Sequence, residues 1–272
     1  MGTLYLVSTP IGNLEDISAR ALRILRQVRL IAAEDTRVTK KLLAHYEIRG
    51  NPLSYFEHNM LARQDRILHE LADGDVALVS DAGTPGLNDP GYEIVLAALQ
   101  AGHQVSPVPG PASPIAALVS SGLPTDSFLF LGYLPRRSSE RRAALERISD
   151  LPYTLIFLEA PHRLKDTLTD LASTLAGRPI AVARELTKLH EEIWRGTVEG
   201  ALRHFEKPRG EFVLIVGGRP KSARLKWTQA RVQAAVRKRL DHGEAPTALA
   251  AQLAAESGWT RREIYKLAST KR

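Results

Sequence analysis

Residues 76–90 read Val-Ala-Leu-Val-Ser-Asp-Ala-Gly-Thr-Pro-Gly-Leu-Asn-Asp-Pro. An apolar run, Val76 to Val79, ends in Ser80-Asp81 and breaks into a loop of glycines and prolines, and the apolar-periodic Tyr92–Leu99 follows Gly91. The order is strand, loop, helix. In an α/β sheet ligands bind outside the carboxyl ends of the strands, and glycine there lets backbone N–H groups approach a ligand closely. Neither G-x-G-x-x-G nor G-x-x-x-x-G-K-[ST] occurs, so the loop is not one of the common nucleotide loops.

The same alternation extends in both directions. Upstream lie a strand over residues 3–8, a loop at Pro10–Leu14, and a helix from Ser18 to Val28 with Ala21, Leu22, Leu25 and Val28 on one face. A strand at Leu30–Ala33, a helix running to Tyr46, a strand at Leu53–Phe56 and a helix over 60–72 follow. Downstream come a helix over 91–101, a strand over 104–108, a helix over 112–121 and a strand over 127–132. Strands separated by helices of this length predict a mostly parallel sheet covered on both faces. Leu134–Glu140, with its proline and its charges, reads as a linker, and a second, smaller α/β domain follows. After Gly217-Gly218 the strand signal ends, and Ala230–Leu240, Thr247–Ala255 and Thr260–Ala268 are short helix candidates. The fold class is therefore α/β, with two α/β domains, residues 1–133 and 134–218, and a small helical C-terminal domain, residues 219–272.

Composition narrows the chemistry. A length of 272 residues suits two domains with room for a third, and 44% apolar residues suit packed cores. No apolar run spans a bilayer, and the chain enters a strand directly at Thr3, so a cytoplasmic protein without a membrane anchor is expected. Zero cysteines remove disulfides, thiol nucleophiles and thiolate metal sites. The net charge of +7 is uneven: residues 219–272 hold 13 Lys/Arg against 4 Asp/Glu, and residues 1–218 hold 24 against 26. A basic C-terminal segment fits a polyanion, although a solvated helical surface has the same composition. Leu253, Trp259, Ile264 and Leu267 around Gly258 match helix-turn-helix spacing, with Arg261, Arg262 and Lys266 projecting from its second helix.

Five segments follow predicted strands: Thr9–Asn13, Glu34–Arg37, Asp81–Gly86, Pro109–Ser113 and Glu159–Arg163. Parallel strands bring such loops to one sheet edge, where they line a single cleft. Each has a plainer account. Gly12 and Gly110 serve turns, Glu34 and Asp35 suit a helix start, and Pro161-His162-Arg163 suits another. Asp81 has no evident packing role. No H-E-x-x-H and no G-x-S-x-G occurs, so metal and serine-hydrolase chemistry have no support, and an organic cofactor held largely by backbone remains.

Together, Ser8–Leu14, Ala33–Arg37, Ser80–Pro85, Pro109–Pro111, Glu159–Arg163 and Arg184–Lys188 closely resemble the ribosomal small-subunit RNA methyltransferase I family, within the tetrapyrrole-methylase-like superfamily. The resemblance covers residues 1–218. It implies 2′-O-methylation of a cytidine ribose in the decoding centre of 16S rRNA, S-adenosylmethionine as cofactor in a cleft between two α/β domains, the small ribosomal subunit as partner, and a homodimer. Carried over to this chain, it implies Ile11, Gly12, Asp81, Gly83, Thr84, Ser113, Leu158 and Leu186 as cofactor-binding residues. Arg37, Glu159 and Arg163 are the implied catalytic residues, with no metal. The general base is left open among Glu34, Asp35, Arg37, Glu159, His162, Arg163 and Lys188. Tetrapyrrole methylases resemble G-x-G-x-G-D in the first loop, where this chain has Thr9-Pro-Ile-Gly-Asn13, which favours the RNA branch. A small-molecule tetrapyrrole methylase and a noncatalytic RNA-binding module are the competing readings. The basic C-terminal segment speaks against the first and the intact loops against the second.

Overall fold

The computed structural model describes residues 2–56, 60–219 and 227–269. It divides into two compact units, Met1–Ser149 with Tyr153–Gly217, and Asp150–Pro152 with Gly218–Arg272. The larger unit contains two five-stranded sheets.

The first sheet is built from β1 (Thr3–Val7), β2 (Leu30–Ala33), β3 (Leu53–Ser54), β4 (Val76–Val79) and β5 (Gln104–Val108), in the order β3-β2-β4-β1-β5 with every pair parallel. The helices α1 (Ala19–Gln27), α2 (Thr36–His45), α3 (Met60–Asp73) and α4 (Tyr92–Gln100) connect them. Side-chain alternation divides β4 between the two faces. Ala77 and Val79 pack with Ala21, Leu25 and Leu42 of α1 and α2, and Val76 and Leu78 pack with Ile67, Leu71 and Ile94 of α3 and α4. The chain thus leaves β1 toward one face and β4 toward the other, although the two strands are neighbours. That divergence opens a crevice at their carboxyl ends.

The second sheet, order β6-β7-β10-β8-β9, comprises β6 (Phe128–Tyr133), β7 (Thr154–Glu159), β8 (Pro179–Arg184), β9 (Glu192–Thr197) and β10 (Phe212–Val216). Only β6 and β7 run parallel; the remaining pairs are antiparallel. One face carries α6 (Ser138–Arg147), α7 (Leu164–Thr174) and α8 (Val198–His204) over Phe157, Val182 and Leu214. The other face carries α5 (Ser113–Ser121), whose Ala117 and Leu118 pack on Ile156, Ala181 and Ile215 together with Ile11 from the loop after β1. One apolar cluster therefore joins the two sheets.

Two expectations change. The strand at 127–132 pairs with β7, so the chain switches sheets before Phe128 and not at the 133/134 linker. Residues 192–204 add β9 and α8, which the sequence reading left without structure; Glu192, Arg195 and the glycine of Glu-Ile-Trp-Arg-Gly-Thr give this edge strand little apolar pattern.

The smaller unit holds α9 (Gln229–Asp241), α10 (Pro246–Ser257) and α11 (Arg261–Ser269), packed through Val232, Val236, Leu249, Leu253 and Ile264. Gly258 ends α10 in a left-handed conformation, φ 71°. Thr260 and Glu263 then form a reciprocal capping box: the Thr260 N–H donates to Glu263 Oε2 at 2.7 Å and the Glu263 N–H to Thr260 Oγ1 at 3.2 Å. This is the helix-turn-helix spacing read from the sequence. Lys221, Arg224, Lys226, Lys271 and Arg272 of the basic segment lie outside the described residues.

Candidate active site

Three loops at the carboxyl edge of the first sheet are fastened to one another. Thr9 and Gly83 exchange backbone hydrogen bonds of 2.8 and 3.0 Å. The Ser8 and Thr84 hydroxyls share a 2.9 Å hydrogen bond, and Thr84 Oγ1 donates to the Pro111 carbonyl at 3.2 Å. Gly83 has φ 85°, and a Cβ added there would meet only ordinary contacts, 3.5 Å from Ile11 Cγ2. Its conformation, not its surroundings, is what requires glycine.

These loops form one wall of a cleft with about 980 Å³ of space not filled by protein atoms, its open mouth included. The first sheet contributes Ile11, Asp81, Gly83 and Thr84, and α5 contributes Ser113. Opposite stand Leu158, Ala183, Leu186 and Val213 of the second sheet and the turn that follows β8. The charged lining is acidic: Glu34, Asp81, Asp89 and Glu211 face the cleft, and no lysine or arginine among the described residues does.

Two of these carboxylates are interlocked. Asp81 Oδ1 accepts the Asp35 N–H at 2.9 Å, and Glu34 Oε2 accepts the Asp81 N–H at 3.2 Å. Burial raises the pKa of both, and their mutual repulsion works in the same direction for Glu34. Asp89 is pushed up to about 6, first by burial and then by the negative charge of Glu34. Asp35 goes the other way, down to about 2, because Arg37 donates to it through both its side chain and its backbone N–H. The cleft lining therefore concentrates carboxylates, of which Glu211 is paired with Lys188 Nζ at 3.1 Å, and Arg37 offsets part of the charge of Asp81.

The tetrapyrrole (corrin/porphyrin) methylase family matches residues 3–202. Proteins named ribosomal RNA small subunit methyltransferase I are similar along most of the chain. The one from Halalkalibacterium halodurans is 52% identical over 80% of this chain and 76% of its own length, and that from Synechocystis sp. is 45% identical over 98% and 97%. The chain belongs to the ribosomal RNA small subunit methyltransferase I family. The Thermotoga maritima relative, 46% identical, is matched over 100% of its length by 80% of this chain. Among solved structures, diphthine synthase has the same fold with a TM-score of 0.61 at 14% identity, covering 80% of this chain and 90% of that one. The uroporphyrin-III C-methyltransferase from Thermus thermophilus, complexed with S-adenyl homocysteine, has a TM-score of 0.56 at 21% identity over 79% and 97%.

In this methyltransferase I family member, Ile11, Asp81, Gly83, Thr84, Ser113, Leu158 and Leu186 come together in the cleft. Gly12 does not. It lines a second cavity on the other side of its loop, and a Cβ on it would lie 2.5 Å from Lys188 Cγ and 2.9 Å from the Leu186 carbonyl oxygen. Close approach of the turn after β8 accounts for that glycine.

The three implied catalytic residues are all placed elsewhere than in the cleft. Glu159 is buried on the opposite side of β7: Thr167 Oγ1 donates to Oε2 at 2.5 Å, the Ala160 N–H donates to Oε1 at 2.9 Å, and Arg163 Nε lies 3.3 Å away. Arg163 Nη2 donates to the Leu134 carbonyl at 2.6 Å, pinning the linker. Both side chains are held by contacts within the protein. Arg37 stands exposed at the start of α2, its guanidinium donating to Asp35 at 3.1 and 2.6 Å. Asp35 caps α2, as the plainer account held, while Glu34 beside it faces the cleft.

Asp89, Asn88 and Tyr133 also line the cleft and were not singled out. Asp89 was visible as a second carboxylate within the same glycine-rich loop as Asp81. Asn88, with φ 67°, sits against Gly132, where a Cβ would lie 2.3 Å from Asn88 Oδ1.

Proposed function

We propose that this protein transfers a methyl group from S-adenosylmethionine to the ribose 2′-hydroxyl of a cytidine in the decoding centre of 16S rRNA. One observation carries the cofactor assignment: a cleft with apolar walls and four carboxylates but no basic side chain among the described residues suits a cationic organic ligand and repels a phosphorylated one. Family membership supports the RNA substrate, and the Thermus relative is itself a complex with S-adenyl homocysteine.

The residues fit the cofactor. Ile11, Leu158 and Leu186 offer apolar walls for the adenine, and left-handed Gly83 turns its backbone into the cleft beside Asp81. The cofactor supplies an electrophilic methyl group on a positively charged sulfur. Asp81, Glu34 and Asp89 lower the potential where that charge rests, and the Thr9–Gly83 and Ser8–Thr84 links hold the loops in place. When bound, the cofactor would give up that methyl group as the O2′–CH3 bond forms and the S–CH3 bond breaks, with the hydroxyl proton passing to solvent and the sulfur left as a neutral thioether. Alignment of the two reactants can supply roughly 7–11 kcal/mol of such a barrier.

The small ribosomal subunit is the proposed partner. Arg37, exposed on α2, and Arg261 and Arg262, exposed on α11, are the cations assigned to RNA phosphates. A homodimer in the cytoplasm is proposed as well: α4 leaves Tyr92, Leu96 and Leu99 exposed on one helical stripe, suited to a second copy, and sedimentation of a Leu96→Glu variant tests it. Labelled methyl incorporation tests the function itself. Transfer to small subunits but not to a tetrapyrrole supports this reading, and the reverse pattern supports the small-molecule alternative.

A further inference from the structure

We infer that the second cavity, between the Pro10–Leu14 loop and α2, receives the target nucleotide, so that the first loop is a partition with the cofactor on one side and the nucleoside on the other. The inference rests on the methyl-transfer reading and assigns the substrate side of it.

The loop after β1 has two faces. Ile11 turns into the acidic cleft and joins the cluster that covers the second sheet, whereas Pro10, Gly12 and Leu14 line a separate space of about 640 Å³. Val38 and Leu42 of α2 form its other wall, and Leu14 and Val38 remain 39% and 40% exposed at this site. A flat base fits between two apolar walls of this kind better than a hydrated ion does.

Charge separates the two spaces more sharply than size. Among the described residues the charged lining of the cleft is all carboxylate, and the nearby Lys188 is engaged by Glu211 and Glu185, so a phosphodiester entering it would meet net negative charge. The second cavity has Lys41 on its lining, and Arg37 lies one helical turn earlier on the same helix. Lys40 adds a third exposed cation on α2. Although Arg37 is paired with Asp35, Lys41 on the lining and Lys40 beside it give a nucleotide apolar walls together with positive charge on this side of the loop.

Asp81 lines both spaces. It is the one charged residue common to the two linings, and its position is fixed by the Asp35 N–H and by Glu34 acting on its own N–H. A ribose held at Asp81 would present its 2′-hydroxyl at the boundary with the cofactor cleft, while the base rests against Leu14 and Val38.

The test uses the full-length protein with 13C-labelled Leu and Val methyl groups. The probes are a cytidine-containing RNA trinucleotide and, separately, S-adenosylhomocysteine. The RNA should shift Leu14, Val38 and Leu42 and spare Leu158 and Leu186, and S-adenosylhomocysteine should do the opposite. In parallel, Leu14→Trp, which fills the cavity, should raise the KM for unmodified small subunits by roughly tenfold to a hundredfold, the worth of one base contact, and leave S-adenosylhomocysteine affinity unchanged. RNA-induced shifts at Leu158 and Leu186, no shift at Leu14 and Val38, or an unchanged KM in Leu14→Trp would overturn the assignment. If the parent protein methylates no ribosomal subunit, the methyl-transfer reading fails, and the methyl shifts still decide which cavity takes a nucleotide.

Discussion

Glu34 and Asp81 hold each other's loops: Glu34 accepts the backbone N–H of Asp81, and Asp81 accepts the N–H of Asp35, the residue after Glu34. Two strand-end loops separated by 46 residues in sequence are thereby fixed through the same carboxylates that give the cleft its charge. Preorganisation and electrostatics are supplied together, and the cofactor meets a site already charged to receive a cation.

Gly83→Ala should separate backbone demand from packing. Its φ of 85° costs an L-residue roughly 1–2 kcal/mol, so thermal denaturation should show a melting temperature a few degrees lower. Gly102→Ala, at φ 82° with nothing within 4 Å, should lose as much stability. Only Gly83→Ala should also weaken S-adenosylmethionine binding by calorimetry; equal affinity in both variants would remove Gly83 from the site.

Asp89 predicts a pH signature. The folded protein keeps this proton up to about pH 6, whereas an unfolded aspartate releases it near pH ~3.9. Its contribution is therefore full below the unfolded pKa and declines through the window up to about pH 6, remaining lower above it. The stability gained by Asp89→Asn should then be larger at about pH 7.5 than at about pH 4.5. Binding of the sulfonium should also expel protons near pH 6, detectable by calorimetry in buffers of different ionisation enthalpy. The neutral sulfur of S-adenosylhomocysteine should expel fewer, and equal release by both ligands would contradict the placement of the sulfonium beside these carboxylates.

Glu159 should behave as a structural residue. Glu159→Ala leaves Arg163, Thr167 and the Ala160 N–H without their acceptor, a loss of about 3–5 kcal/mol for a broken buried pair, measured by urea denaturation. Methyl transfer per folded molecule should persist. Normal stability with abolished turnover would restore the catalytic role that the motif suggests.

Removal of residues 219–272 should leave a folded protein with unchanged S-adenosylmethionine affinity, because the proposed cofactor residues all lie upstream. The Thermotoga maritima relative, matched over its whole length by 80% of this chain, is consistent with a self-sufficient core. RNA binding measured across a salt series should weaken and show a shallower slope, since fewer phosphate counterions are released. Identical slopes would make the basic segment a solvated helical appendage.

Much of this was legible because the signals were local. The run Val76–Val79 is buried on both faces, so it reads as a strand with no tertiary information, and Asp35 caps α2 as its position suggests. What escaped depended on facing. Strand-end motifs reveal the sheet edge but not the side of a loop, which is why Gly12 was grouped with Ile11 although the two face different cavities. Adjacent strand residues point to opposite faces, so Leu158 in the cleft places Glu159 behind the sheet against Thr167. The sheet membership of β6 rests on pairing with a distant strand and leaves no local trace.

The central claim is tested most directly by incubating the protein with S-adenosylmethionine and small ribosomal subunits that lack the modification, then mapping alkaline cleavage along the 16S rRNA. A 2′-O-methyl group blocks attack of its own oxygen on the adjacent phosphate, so the account predicts one new cleavage-resistant position, 3′ to a cytidine of the decoding centre. Methyl incorporation with every decoding-centre cytidine still cleavable would contradict it.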